Sequence, residues 1–168
     1  MVIDPNNHVV KLCARGMDLE GQGKSAEASE LFGKAWSDAT SDFEKVIAAH
    51  YVARHQKGVA EKLRWDETAL QLALKVDDSS AKEILPSLYL NVAKCYEDLD
   101  DFQNAKTNYQ LALSYSTALP DNGYGNMIRG GVAKGLERVT KGTCVDFRDM
   151  RDPGDNRETK NSVSSLPV

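Results

Sequence analysis

The feature that most constrains this chain is a pattern of large and small side chains that occurs twice. Each position of the second copy lies 77 residues after the matching position of the first. Ala28 follows Leu19 by nine positions in the first copy, and Ala105 follows Tyr96 by nine positions in the second. Spacings of three and four place residues on one helix face, so each copy predicts two amphipathic helices joined by a short turn. The first copy comprises Leu12, Arg15, Gly16, Leu19, Ala28, Phe32 and Ala35, and the second comprises Tyr89, Val92, Ala93, Tyr96, Ala105, Tyr109 and Ala112.

The small residues of the pattern predict where paired helices approach closely. Helices packed as a tight hairpin touch only where side chains are small. We therefore expect Gly16 to face Ala28 in the first copy. In the second copy Ala93 would face Ala105. The aromatic residue of each copy would then fill the gap between successive hairpins.

Apolar residues recur at three and four along most of the chain, and strand signals are nearly absent, so we predict an all-α fold. Gly21 and Gly23 separate the first two helices. Ser41 followed by Glu44 is a capping box for the third helix. The predicted helices cover about 9–19, 28–35, 43–53, 62–76, 86–99, 102–117 and 124–139.

These spacings resemble the signature of the tetratricopeptide repeat, and the chain is similar to a small, bacterial-type member of that family. The resemblance implies antiparallel helical hairpins stacked as a short right-handed solenoid, with the seventh helix as a C-terminal cap. About three hairpins would form a domain of residues 1–140. The middle hairpin is degenerate, because Ala69 follows Ala53 by sixteen positions where the other two hairpins have nine. Residues 141–168 are mostly small and polar and are predicted to form a flexible tail.

The composition disfavours several classes of function. A net charge of −4 without a strongly basic segment argues against nucleic-acid binding. Apolar runs are only a few residues long, so neither a membrane span nor a signal peptide is expected. Cys13 and Cys95 are expected to be buried, reduced thiols, which indicates a cytoplasmic location. No metal and no cofactor are expected, because no ligand cluster or phosphate-binding motif is present.

The resemblance also implies a binding groove, since the inner helices of such solenoids line a concave face that holds peptides. Tyr51 would offer a stacking surface, and Arg54 would hold a carboxylate or a backbone carbonyl. The predicted function is therefore non-catalytic binding of a protein or peptide partner. The predicted groove residues are Val10, Cys13, Met17, Tyr51, Arg54, His55, Leu90, Asn91, Lys94 and Arg129.

The groove lacks one specificity that the family is known for. Relatives that grip the tails of chaperones use Lys, Asn and Arg at five groove positions, and that clamp is missing here. A chaperone tail is therefore not the expected partner. The matching residues in this chain are Cys13, Met17, Ala48, Ser87 and Asn91.

Three alternatives remain open. Arg54 could pair with a carboxylate such as Glu97 while His55 simply ends its helix. Exposed hairpin faces could join two chains into a homo-oligomerising scaffold, so that both a monomer and a homodimer are possible. His50, Arg54, His55 and Trp65 could instead surround the closed pocket of an enzyme or a small-molecule sensor. No nucleophile elbow or glycine fingerprint favours catalysis, so we do not predict an enzyme.

Overall fold

The computed structural model describes residues 4–76 and 79–149, apart from the side chains of 79–82, 118 and 143–149. All regular structure within these residues is helical, which confirms the all-α class. The elements are α1 (His8–Gly21), α2 (Ser25–Asp38), α3 (Asp42–Arg54), α4 (Val59–Ala73), α5 (Ser79–Asp98), α6 (Phe102–Tyr115), a single 3-10 turn (Ser116–Ala118) and α7 (Gly123–Asp149).

Side chains fix where the first and third helices begin. In the predicted capping box, Ser41 Oγ accepts a hydrogen bond from the Glu44 N–H at 3.2 Å, and Glu44 Oε2 accepts one from the Ser41 N–H at 3.0 Å. Asn7 starts α1 by accepting from the Val10 N–H at 3.1 Å, and it also donates to Glu44 at 2.7 Å. This bond from Asn7, together with those from Thr40 and Ser41, lowers the pKa of Glu44 to about 2. The starts of α1 and α3 are thereby joined.

The fifth helix begins earlier than predicted. It starts at Ser79, seven residues before Pro86, so the prediction that Pro86 opens the helix is wrong. Proline inside a helix removes one hydrogen bond and normally costs about 3 kcal/mol. Pro86 is fully buried here, between Leu85 at 4% exposure and Leu88 at 2%. Burial of these neighbouring apolar side chains offsets the lost hydrogen bond.

The fourth and seventh helices also differ from their predicted bounds. Helix α4 begins at Val59, because Gly58 takes an extended conformation at its N-cap, and it ends at Ala73. Helix α7 continues past Val139 to Asp149, so the first nine residues of the predicted tail are helical. At Gly142 a Cβ atom would lie 3.5 Å from the Phe102 ring, so α7 is still beside α6 there. The rest of the predicted tail, 150–168, lies outside the described residues.

Helices adjacent in sequence pack on one another throughout, from α1 on α2 to α6 on α7. In addition α1 contacts α3, and α5 contacts α7. The largest buried cluster joins α3, α4 and α5 with residues of α6 and α7. A second cluster joins α1, α2 and α3, and a third joins α5, α6 and α7. The core therefore runs from one helix pair to the next.

Two buried aromatic rings lie directly against glycines. A Cβ atom at Gly16 would lie 2.7 Å from Cζ of Phe32, and one at Gly135 would similarly overlap the ring of Tyr109. The three atoms nearest to the Cβ position of Gly16 all belong to Phe32. Phe32 also stacks on Tyr51 of α3, with ring centroids 5.1 Å apart. It therefore fills the gap between the first helix pair and the next, as the pattern predicts.

Replacing Gly16 with alanine should lower the free energy of unfolding by about 1–3 kcal/mol, because the added methyl group overlaps the ring of Phe32. The matched control is Gly33→Ala in the middle of α2, where a Cβ atom has nothing within 4 Å. Alanine there should raise stability by about 0.5–1 kcal/mol. Urea denaturation followed by circular dichroism measures both. Equal effects of the two substitutions would contradict the close packing at Gly16.

Candidate functional site

A cleft of about 440 Å³ lies where α1, α3 and α5 come together, with the beginning of α7 at one side. These are the first helices of three successive pairs, and each presents residues one or two turns apart. Most of the lining side chains are apolar, as is usual for sites that bind other molecules. The lining residues are Val10, Cys13, Ala14 and Met17 from α1, Val46, Ile47, His50 and Tyr51 from α3, Ile84, Ser87 and Leu88 from α5, and Tyr124 from α7.

Burial favours the neutral forms of the titratable groups in the cleft. It raises the pKa of the Cys13 thiol to about 12. Burial also raises the pKa of Tyr51 above its usual range. It lowers the pKa of His50, although the negative charge of Asp66 acts in the opposite direction. At neutral pH the cleft therefore presents uncharged thiol, phenol and imidazole groups among apolar side chains.

Tyr51 is held in place by contacts on several sides. Its hydroxyl donates to the sulfur of Met17 at 2.9 Å across the cleft. One face of its ring stacks on Phe32, and the guanidinium of Arg54 lies 5.7 Å from the ring centroid. The ring of His50 meets it edge-on, with centroids 5.3 Å apart. Tyr51 therefore forms one side of the cleft, and these contacts fix its position.

His50 gives the cleft a polar group of defined orientation. The Nδ2 atom of Asn91 lies 3.3 Å from Nδ1 of His50. Because the amide nitrogen can only donate, Nδ1 accepts and the proton of the neutral ring is on Nε2. His50 is a half-buried histidine with a protein partner, and it also lines the cleft.

Four of the predicted groove residues line the cleft: Val10, Cys13, Met17 and Tyr51. Two others, Arg54 and His55, point toward α1 and both contact the carboxylate of Glu20. Arg54 lies 3.1 Å from Oε2 of Glu20, and His55 Nε2 lies 2.7 Å from Oε1. Arg54 is thus paired with a carboxylate, but this is Glu20 and not Glu97. His55 is the C-cap of α3, so both residues tie α3 to α1.

The remaining four predicted groove residues are outside the cleft. Leu90 packs against Gly131 of α7, where a Cβ atom would lie 3.1 Å from it. Asn91 reaches the cleft only through His50, and Lys94 pairs with Asp98 one turn along α5. Arg129 donates hydrogen bonds to the turn before α7 and to the first turn of α7 itself. Its acceptors are the carbonyl groups of Leu119 and Pro120 and the side chains of Asp121 and Asn126.

Several lining residues were missed by sequence reasoning. Ile84 lies before Pro86, which was the predicted start of the helix, so it was assigned to no helix face. No feature of the sequence distinguishes Leu88 from the other apolar residues of α5. Tyr124 belongs to the predicted cap, and only the folded chain shows that α7 begins beside α1 and α3. A longer α5 could have been found by extending its apolar periodicity back through Ile84 and Leu85.

The residues of the alternative closed pocket do not converge in the described structure. Only His50 of the four lines the cleft, while Arg54 and His55 are bound to Glu20. Trp65 packs edge-on against Trp36, with ring centroids 5.0 Å apart. This places Trp65 in the core between α2 and α4, as an element of packing.

None of the described helices has both the length and the apolar content needed to cross a bilayer. Within the same residues, no group of His, Cys, Asp and Glu side chains is arranged to hold a metal ion. Comparison with protein-family models, with curated proteins and with solved structures gives no match to the chain. Its function must therefore be inferred from the cleft and its surroundings.

The buried imidazole makes stability depend on pH. The pKa of His50 is lower in the folded chain than its ordinary value of 6.5, so the unfolded chain binds more protons between the two values. The free energy of unfolding should therefore fall as the pH drops below about 6.5. Urea titrations at about pH 7.5 and about pH 5 should show a larger loss for the wild type than for His50→Gln. An equal loss in both proteins would contradict the burial of His50.

Proposed function

We propose that this protein is a non-catalytic binding module whose helix pairs stack in the manner of tetratricopeptide repeats and whose cleft holds a segment of a partner protein. The observation that carries the proposal is that the first helices of three successive pairs, α1, α3 and α5, line one cleft together. Inner helices form the binding surface in repeat solenoids of this kind. The contact of α1 with α3, across the intervening α2, supports the same arrangement.

The chemistry of the cleft favours apolar side chains of the partner. Cys13, Met17 and Ser87 line it at three of the positions where a chaperone-tail clamp would carry charged or amide groups. A carboxylate entering the cleft would lose its hydration without gaining a cation. An apolar side chain would gain about 25 cal/mol for each Å² removed from water. We therefore expect a segment with Leu, Met, Phe or similar anchors.

A backbone carbonyl of the bound segment is the expected polar contact. The Nε2–H of His50 is oriented by the hydrogen bond between Nδ1 and Asn91. It is the hydrogen-bond donor that a carbonyl among apolar side chains requires. Met17 also lines the cleft and is 44% exposed, and its flexible thioether can adapt to anchors of different shape.

Self-association is the second candidate function, and it concerns the same surface. Tyr124 is 44% exposed at the edge of the cleft, and Met127, one turn further along α7, is 63% exposed. A second copy of the chain would bury these side chains as readily as a foreign segment would. The free, buried thiols of Cys13 and Cys95 support a reducing compartment such as the cytoplasm for either function.

Filling the cleft tests the proposal. Ala14 is exposed and lines the cleft, so Ala14→Trp should place an indole where the partner's anchor would lie. Peptides selected from a displayed random library on the wild type should bind this variant at least about tenfold more weakly by fluorescence anisotropy, a loss of about 1.4 kcal/mol. The matched control is Ala133→Trp at an exposed position of α7 that is not part of the cleft lining.

The outcomes separate the candidates. Equal binding of the selected peptides to both tryptophan variants would reject the cleft as the binding site. A wild-type mass that doubles with concentration in light scattering, and stays single in Ala14→Trp, would identify a second copy as the occupant. Replacing Arg54 and Lys94 together with alanine should weaken binding by less than about threefold, because both side chains are paired outside the cleft.

A further inference from the structure

A cluster of reactive side chains lies away from the cleft, where α4 packs on α5. Lys62 and Asp66 are one turn apart on α4, and Cys95 faces them from α5. The Lys62 amine donates a hydrogen bond to Asp66, and it lies 3.3 Å from the sulfur of Cys95. The Cys95 thiol in turn donates to Asp66 Oδ2 at 3.5 Å. An amine, a thiol and a carboxylate are therefore in mutual contact.

The carboxylate of Asp66 is only partly satisfied. The residue is 0% exposed, and its Oδ1 has no hydrogen-bond partner among the described residues. A buried oxygen without a partner costs free energy, so a contribution to stability does not explain why a carboxylate occupies this position. The side chain of Lys62 is 32% exposed and borders solvent, whereas Cys95 is 1% exposed.

Cys13 provides a comparison within the same chain. Both thiols are buried and free. Burial raises the pKa of Cys13 to about 12 and that of Cys95 to about 11, and at Cys95 the charge of Lys62 opposes the rise. The Lys62 ammonium beside the sulfur of Cys95 stabilises the thiolate form that a peroxide attacks, and no such opposing charge acts on the pKa of Cys13.

We propose that Lys62 and Cys95 form a reversible covalent cross-link when the protein meets a hydroperoxide. The peroxide first oxidises the thiol to a sulfenic acid and is itself reduced to water. The Lys62 ammonium first gives one proton to Asp66 Oδ2, to which it is already hydrogen-bonded. The resulting neutral amine attacks the sulfur, so that an N–S bond forms and the S–O bond breaks, and Asp66 passes its proton to the departing hydroxide. The second proton that the nitrogen loses is released to solvent. One thiol, one ammonium ion and one hydrogen peroxide thus give one sulfenamide, two waters and one proton.

The cross-link would join α4 to α5 and so fix the second helix pair to the third, whatever the cleft binds. It would close a loop between residues 62 and 95 and restrict the unfolded chain, as a disulfide does. The oxidised protein should therefore melt at a higher temperature than the reduced protein. A thiol reductant should restore the original melting temperature, because sulfenamides are opened by thiols.

Mass spectrometry tests the cross-link directly. Full-length protein carrying Cys144→Ser is treated with hydrogen peroxide, quenched with catalase and digested with trypsin without reductant. A modified Lys62 resists trypsin, so peptides 58–64 and 95–106 should appear joined. Their mass should equal the sum of the two peptides less two hydrogen atoms. Cys13 should stay unmodified over the same period.

Lys62→Arg is the matched variant, because it keeps the positive charge beside Asp66 and removes the nucleophilic amine. In this variant the joined peptide should be lost, and dimedone should label Cys95 as a sulfenic acid. Circular dichroism verifies that the variant is folded. The proposal is overturned if the joined peptide retains an oxygen atom, or if it also forms in Lys62→Arg. It is equally overturned if the wild type gives no joined peptide, or if Cys13 oxidises as fast as Cys95.

Discussion

The contact between an aromatic ring and a bare glycine sets how closely the helices approach, and the cleft depends on that distance. Phe32 can lie between α1 and α3 because Gly16 has no side chain. The same ring then stacks on Tyr51, which forms one wall of the cleft. At the other end of the chain Tyr109 and Gly135 set the distance between α6 and α7. Large rings with glycine partners thus bring together residues that are far apart in sequence.

Two carboxylates outside the cleft lining bind basic side chains of other helices and so tie those helices together. Glu20 of α1 accepts both Arg54 and His55 at the end of α3. Glu97 of α5 is held by Arg138 of α7 through two hydrogen bonds of 2.6 and 2.9 Å. Glu20 thus accepts from two side chains, and Glu97 also accepts from the hydroxyl of Tyr109, an arrangement that compensates for partial burial. Arg54, which was predicted to hold a carboxylate of the ligand, is therefore already paired within the fold.

The sequence predicts what depends on local spacing, and it fails where tertiary distances decide. The capping box follows from the spacing of Ser41 and Glu44, and the positions of Cys13 and Met17 on the cleft agree with what the resemblance to the repeat family implies. The partner of Arg54 cannot be predicted from local spacing. Many carboxylates are equally compatible with the pattern, and only folding brings Glu20 within 3.1 Å of Arg54. The early start of α5 was missed because proline normally opens helices, whereas the burial of Pro86 inside the core keeps it in this one.

His50 lines the cleft, and its pKa depends on the charges of Asp66 and Lys62 in the reactive cluster. Burial lowers its pKa, Asp66 raises it, and the charges of Arg54 and Lys62 lower it further. A bond between Lys62 and Cys95 would convert an ammonium into an uncharged nitrogen and leave the charge of Asp66 unopposed. The pKa of His50 should then rise, which would bring positive charge into a cleft suited to apolar side chains. An NMR titration of His50 before and after peroxide treatment measures this shift, and an unchanged titration would show that the sites act independently.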